Sequence, residues 1–156
     1  MFKEDYEKLP LPSTKEEGLQ MMHDMHTGFA SAKAFAELQS MHGKPPVYVF
    51  DFRHPAPGFD GAFHGLEGQY IFGRVQNLKG AEDVDFQIAE DIQNYWCNFI
   101  RTGDPNGEGL PEWRPHTAQD HAVLEFNDTP SCTTEEHPLN RFAADYCVRE
   151  SLKLKK

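Results

Sequence analysis

One segment limits what this chain can fold into. Val47-Tyr48-Val49-Phe50-Asp51-Phe52 is short, β-branched and aromatic. It lies between Pro45-Pro46 and a loop carrying Pro55, Pro57 and Gly58. Such a run reads as a strand. It is apolar on both faces for most of its length, so it is expected to be an interior strand with neighbours on both sides. The sequence offers one other, weaker strand, Ala122-Val123-Leu124-Glu125-Phe126, closed by Asn127-Asp128-Thr129-Pro130. About seventy residues of helix and loop separate the two. A lone pair of strands is rarely stable. The inventory therefore points to an α/β chain that holds part of a larger sheet.

Helical patterns fill the rest. Pro10 and Pro12 bar a continuous helix near the start, and Ser13 or Thr14 followed by Glu16 and Glu17 marks a helix N-cap. A short helix over 15–26 is expected, with Leu19, Met22 and either Met25 or His26 on one side. Residues 30–42 are alanine-rich, and Ala34, Phe35, Leu38 and Met41 recur at helical spacing as one buried face. Gly43 caps that helix and Pro45-Pro46 stops it. The longest pattern runs from Asp85 to Thr102. Phe86, Ile88, Ala89, Ile92, Tyr95, Trp96, Phe99 and Ile100 form its apolar stripe, and Gly103-Asp104-Pro105-Asn106-Gly107 ends it. Residues 138–152 read as a final helix with Leu139, Phe142, Ala143, Tyr146 and Cys147 on one face.

Composition excludes several classes of function. The 156 residues have the length of one domain. The formal charge of -10 opposes binding to a phosphate backbone, and the only basic cluster is Lys153, Lys155 and Lys156 at the tail. No apolar run approaches the ~18 residues of a membrane span. The charged start lacks the apolar segment of a signal peptide. Three cysteines without a Cys-x-x-Cys pair give neither a disulfide framework nor a zinc site, and a reducing, cytoplasmic setting is the expectation. Asn127-Asp128-Thr129 fits a glycosylation acceptor, but Pro130 disfavours its use.

The stretch with the most chemistry is Gly61-Ala62-Phe63-His64-Gly65-Leu66-Glu67-Gly68-Gln69-Tyr70-Ile71-Phe72-Gly73. Its four glycines in thirteen residues imply sharp turns or close approach. A loop histidine that hydrogen-bonds locally is the plainer reading of His64. Its place in a glycine-framed loop soon after an interior strand is where α/β enzymes put reacting groups. If residues 65–72 are helical, Glu67 falls in the first turn, at the positive helix end, and orders the loop. A serine hydrolase also needs a nucleophile and oxyanion donors. Gly-x-Ser-x-Gly is absent around Ser13, Ser31, Ser40, Ser131 and Ser151, and no His-Gly-Gly-Gly run occurs. Among the cysteines only Cys132 is expected to be exposed, and nothing visible would lower its thiol pKa. A metal is the rival chemistry. His23 and His26 are three apart, and His42, His54 and His64 add candidates, but His-Glu-x-x-His is absent. Surface histidines are the plainer reading, and neither a metal nor another cofactor is expected.

In order, the chain carries Pro46-Val47-Tyr48-Val49-Phe50-Asp51-Phe52, Gly61-Ala62-Phe63-His64-Gly65-Leu66-Glu67, Tyr70-Ile71-Phe72-Gly73, Tyr95-Trp96-Cys97-Asn98-Phe99, Thr102-Gly103-Asp104-Pro105-Asn106 and Trp113. This series resembles the C-terminal part of type B carboxylesterases, the α/β-hydrolases that include cholinesterases and para-nitrobenzyl esterases. The resemblance covers about Met21 to Phe126. It implies a single partial domain, with 1–17 as an extended lead-in and 18–152 as the hydrolase portion. It implies that His64 is the triad histidine, that Glu67 and Gly65 order its loop, and that Phe63 borders the pocket. It places the first strand in the central sheet. The family's serine elbow, oxyanion loop and acidic triad member have no counterpart here, so the chain alone is expected to be inactive. Cholinesterases carry a last-helix cysteine where Cys147 sits, but its partner would fall near Met25, so no disulfide is expected. The expected partners are a small carboxylic ester in the complete enzyme, and an N-terminal hydrolase half or a second copy. Nucleic acid and membrane are not expected partners. The alternative to a catalytic part is a truncated, hydrolase-like binding or interaction module, or one half of a split esterase.

Overall fold

The computed structural model describes residues 12–19, 29–43, 45–134 and 138–153. After a helical stretch at 15–19 come α1 (Phe29–Met41), β1 (Phe50–Phe52), α2 (Glu67–Ile71), a 3-10 turn (Val75–Asn77), α3 (Asp83–Thr102), β2 (Val123–Phe126), β3 (Ser131–Thr133) and α4 (Pro138–Lys153). The chain forms two compact units. One comprises the described residues of Met1–Val47, His116–His121 and Glu135–Lys156, the other Tyr48–Pro115 and Ala122–Thr134.

The second unit holds the sheet, in the order β1-β2-β3. β1 and β2 run parallel, with Phe50 opposite Leu124, Asp51 opposite Glu125 and Phe52 opposite Phe126. β2 and β3 are antiparallel, with Leu124 opposite Cys132. Among the described residues β1 pairs on one side only, with β2, as a strand of a partial sheet does. Its ladder spans three residues, against the six of the expected strand. Asp51 and Glu125 set two carboxylates side by side, an unfavourable pair. Arg53 relieves it: its Nε lies 2.7 Å from Asp51 and 3.2 Å from Glu125. The sequence carries no sign of β3, because Ser131-Cys132-Thr133 is too short to show a period and directly follows a turn signal.

Trp113 is at the centre of this unit's core. It is 4% exposed and meets the rings of Tyr48, Phe50, Tyr95, Trp96 and Phe126 at 5.5–6.2 Å. Its indole N–H donates to the Val49 carbonyl at 3.1 Å. The turn after α3 fixes its backbone: Asn106 Oδ1 accepts from Trp113 N–H at 2.7 Å, and Asn106 Nδ2 donates to the Trp113 carbonyl at 3.0 Å. α3 itself starts two residues before the expected Asp85. Glu82 and Asp85 form a reciprocal capping box, and Gly103 ends the helix at φ 80°. Ile88, Ala89, Ile92 and Tyr95 are buried. Phe86, Phe99 and Ile100 are exposed, so the buried stripe is narrower than the apolar one. Cys97 is exposed and Cys132 half-buried, the reverse of the expectation, and the three cysteines are free.

In the first unit α1 packs against α4. The expected 15–26 helix is seen over 15–19, where Thr14 Oγ1 accepts from Glu17 N–H at 3.1 Å; its remainder, with His23 and His26, lies outside the described residues. The expected inner faces of both long helices are corrected. In α1 the buried residues are Phe29, Lys33, Ala34, Ala36 and Glu37, while Phe35 and Met41 are exposed. In α4 they are Asn140, Ala144 and Val148. An ion pair sets the rotation. Arg141 Nη1 of α4 lies 2.6 Å from Glu37 Oε1, and Arg141 Nη2 lies 2.8 Å from Asp145. His116 Nε2 approaches the same Glu37 oxygen at 3.5 Å. Lys33 is accommodated by placing its ammonium 4.2 Å from the Phe29 ring centroid. A hydrophobic pattern cannot anticipate a face on which charges pair inward.

Candidate active site

The loop from Arg53 to Leu66 leaves the end of β1 and enters α2. Its start is bonded to the sheet: the N–H groups of Arg53 and His54 both donate to the Phe126 carbonyl, at 3.0 and 2.8 Å. Ala56 and Leu66 are buried and pin it from inside. Between them the chain turns outward. His64 is exposed, and Gly65 follows it at φ +85° with nothing within 4 Å of a would-be Cβ. The glycine is required there by backbone conformation, not by crowding. Leu66 N–H donates to the Phe63 carbonyl at 3.1 Å and Gly68 N–H to the Gly65 carbonyl at 3.2 Å, closing the turn into the helix. Glu67 is the first residue of α2, as the sequence suggested. Phe63 is half-exposed and meets Phe59 edge-on at 5.7 Å. The residues singled out, Phe63, His64, Gly65 and Glu67, thus lie on one outward turn and the helix start that follows it.

Beneath this turn is a buried polar cluster that the sequence did not reveal. His54 and Asp85 are 6% and 3% exposed, and Tyr70 is fully buried. His54 Nε2 lies 3.0 Å from Asp85 Oδ1, and the Tyr70 hydroxyl donates to the same oxygen at 2.5 Å. Asp85 Oδ2 accepts the Glu82 N–H at 2.8 Å. On its other side, His54 Nδ1 lies 2.9 Å from the exposed Asp128 carboxylate. Both histidine bonds are donated together when both ring nitrogens carry a proton. Burial opposes ionisation of Asp85, but the bonds from Glu82, Tyr70 and His54 outweigh it and hold the carboxyl below its ordinary value. Burial first, then the hydrogen bond to Asp85 and its charge, push the Tyr70 phenol well above its ordinary value. The Glu82-x-x-Asp85 cap is legible as a motif, but the contacts of Asp85 with residues 15 and 31 positions away are not.

Among the described residues no group of three His, Cys, Asp or Glu side chains is placed to hold a metal. His42, just past the end of α1, has its Nδ1 2.5 Å from the Leu38 carbonyl, and His54 belongs to the buried cluster. Ser131 lies in β3, opposite Glu125, and not at a strand-to-helix elbow. No described helix is long and apolar enough to cross a membrane.

The small sheet with helices before, between and after its strands is an α/β arrangement. The model of the carboxylesterase family matches residues 3–143. Carboxylesterase 4A of Bos taurus is 33% identical over 117 residues, which span 69% of this chain and 21% of that protein. Para-nitrobenzyl esterase of Bacillus subtilis is 30% identical over 104 residues, 64% of this chain and 21% of that protein. A solved PNB esterase structure superimposes with a TM-score of 0.69 at 28% identity, covering 85% of this chain and 28% of the esterase. The chain belongs to the carboxylesterase family. It spans about a fifth of the length of these curated relatives.

Proposed function

We propose that this chain is the base-bearing portion of a carboxylic ester hydrolase. In the complete enzyme a serine hydroxyl attacks the ester carbonyl. His64 takes the serine proton and returns it to the departing alcohol, leaving an acyl-serine. Water, deprotonated by His64, then releases the acid and restores the serine. The observation that carries this reading is the exposed position of His64 on a glycine turn between β1 and α2, inside the region matched by the carboxylesterase family. An imidazole buried in its own unit would be closed to a nucleophile supplied from elsewhere. Glu67 at the start of α2 and Gly65 hold the turn, and Phe63 borders the acyl or alcohol pocket.

The nucleophile, the oxyanion donors and the triad acid come from a carboxylesterase N-terminal portion, so the isolated chain does not turn over. The substrate class is a small carboxylic ester, with no cofactor. The test mixes the purified 156-residue chain with an N-terminal portion of the Bacillus subtilis para-nitrobenzyl esterase that ends before the matched region. Hydrolysis of a p-nitrophenyl ester by the mixture, and by neither part alone, supports the reading. Turnover by the isolated chain that His64→Ala abolishes would contradict the division of labour. No turnover with any carboxylesterase N-terminal portion would favour a non-catalytic binding module.

A further inference from the structure

A single carboxylate oxygen receives one donor from each side of the His64 turn. Asp85 Oδ1 is reached by His54, ten residues before His64, at 3.0 Å, and by Tyr70, six residues after it, at 2.5 Å. Asp85 is fixed in turn. It sits in the first turn of α3, its second oxygen accepts the Glu82 N–H, and α3 is the longest helix of the unit. The same helix reaches α2 a second time, where Gln93 Nε2 donates to the Tyr70 carbonyl at 3.1 Å. A loop clamped at both ends to one rigid point loses most of the conformations open to a free loop of its length.

We infer that Asp85 is the positioning residue of this site: through His54 and Tyr70 it anchors both ends of the turn that presents His64. The inference rests on the reading of His64 as the base. Three features separate the cluster from ordinary core filling. It is polar where the surrounding core is apolar. Its two donors bracket the turn in sequence, one on each side of His64, and its acceptor lies at the start of the helix packed against α2. Its central oxygen has no role in the sheet. A buried network in which every member is bonded fixes one arrangement of the elements that carry it.

The test uses the whole 156-residue chain, isotopically labelled, and follows two quantities by nuclear magnetic resonance. One is amide hydrogen exchange from Phe63 to Gln69, with Ile92 and Tyr95 of α3 as internal reference. The other is the set of imidazole signals of His64. Tyr70→Phe keeps the buried ring and removes only the hydroxyl. It is expected to speed exchange across the turn about tenfold, the usual worth of a hydrogen bond to a charged group, and to shift the His64 ring signals toward those of an unconstrained histidine. The α3 amides stay unchanged. Asp85→Asn releases His54 as well and is expected to exceed Tyr70→Phe in both quantities. Should Asp85→Asn fail to fold, Tyr70→Phe decides alone. Unchanged turn exchange and unchanged His64 signals in Tyr70→Phe, or changes matched in α3, would overturn the inference. Ester turnover does not enter. A failed mixing experiment removes the base assignment and leaves this result standing, and an unaltered turn removes only the anchor.

Discussion

Trp113→Ala is the substitution that most sharply tests the packing of the sheet unit. The tryptophan is 4% exposed and touches five aromatic rings. Aromatic side chains bury about 150–250 Å², which at ~25 cal/mol per Å² gives about 4–6 kcal/mol of transfer free energy. That is an upper bound, since the unfolded chain already hides part of this surface. Measured truncations of this kind cost about 3–5 kcal/mol. The indole hydrogen bond adds little. Its acceptor, the Val49 carbonyl, also receives the Leu124 N–H at 3.0 Å, so no orphaned group remains. We therefore expect a loss near 4 kcal/mol for Trp113→Ala. Trp113→Phe, which keeps a ring against Tyr95 and Phe126, should lose about 1–2 kcal/mol. Urea unfolding followed by far-ultraviolet circular dichroism reads both. With a slope near 2 kcal/mol per molar, the midpoint should fall by about 2 M for Ala and less than 1 M for Phe. If both variants unfold within about 0.5 kcal/mol of the parent, Trp113 is not the centre of this core and the reasoning fails.

Three further outcomes follow from the geometry. Asp85 has a carboxyl held below its ordinary value, so its contribution to stability is complete above the usual aspartate pKa of about 4 and drains away as pH falls through the folded-state value. Asp85→Asn should be less stable than the parent at pH 7, and the gap should close below about pH 4 in denaturation series. Gly65→Ala, at φ +85°, should cost about 1–2 kcal/mol by backbone strain alone. Gly68→Ala, inside α2 with open space around it, should be neutral or stabilise by up to about 1 kcal/mol; thermal melts compare the two. Arg141→Met leaves the buried Glu37 carboxylate without its 2.6 Å partner. Losses near 3 kcal/mol are typical when one member of a buried pair is removed. Hydrogen exchange in α1 and α4 should rise, and more in Arg141→Met than in Arg141→Lys.

What could be read in the sequence divides along physical lines. α3 was legible because its stripe, its Gly103 stop and its long run are all local. The His64 turn was legible because glycines at 61, 65, 68 and 73 frame it and Glu67 marks the helix start. The pairing of β1 with β2 was not, since nothing local says that Phe50 meets Leu124 in parallel. The inner faces of α1 and α4 were not, because Glu37 and Arg141, each polar alone, turn inward as a pair. The same limit hid the anchor: His54, Tyr70 and Asp85 converge only in three dimensions. In the sequence His54 was one histidine among several metal candidates, and Tyr70 a member of an apolar run.

The most direct test of the account compares His64→Ala with the parent chain in the mixture that restores ester hydrolysis. His64 is exposed, so its loss should change stability by less than about 0.5 kcal/mol and leave association with the N-terminal portion intact. The account predicts that the hydrolysis rate nevertheless falls by at least about 1,000-fold, the scale of losing a triad base. A restored mixture in which His64→Ala retains more than a tenth of the parent rate would contradict it.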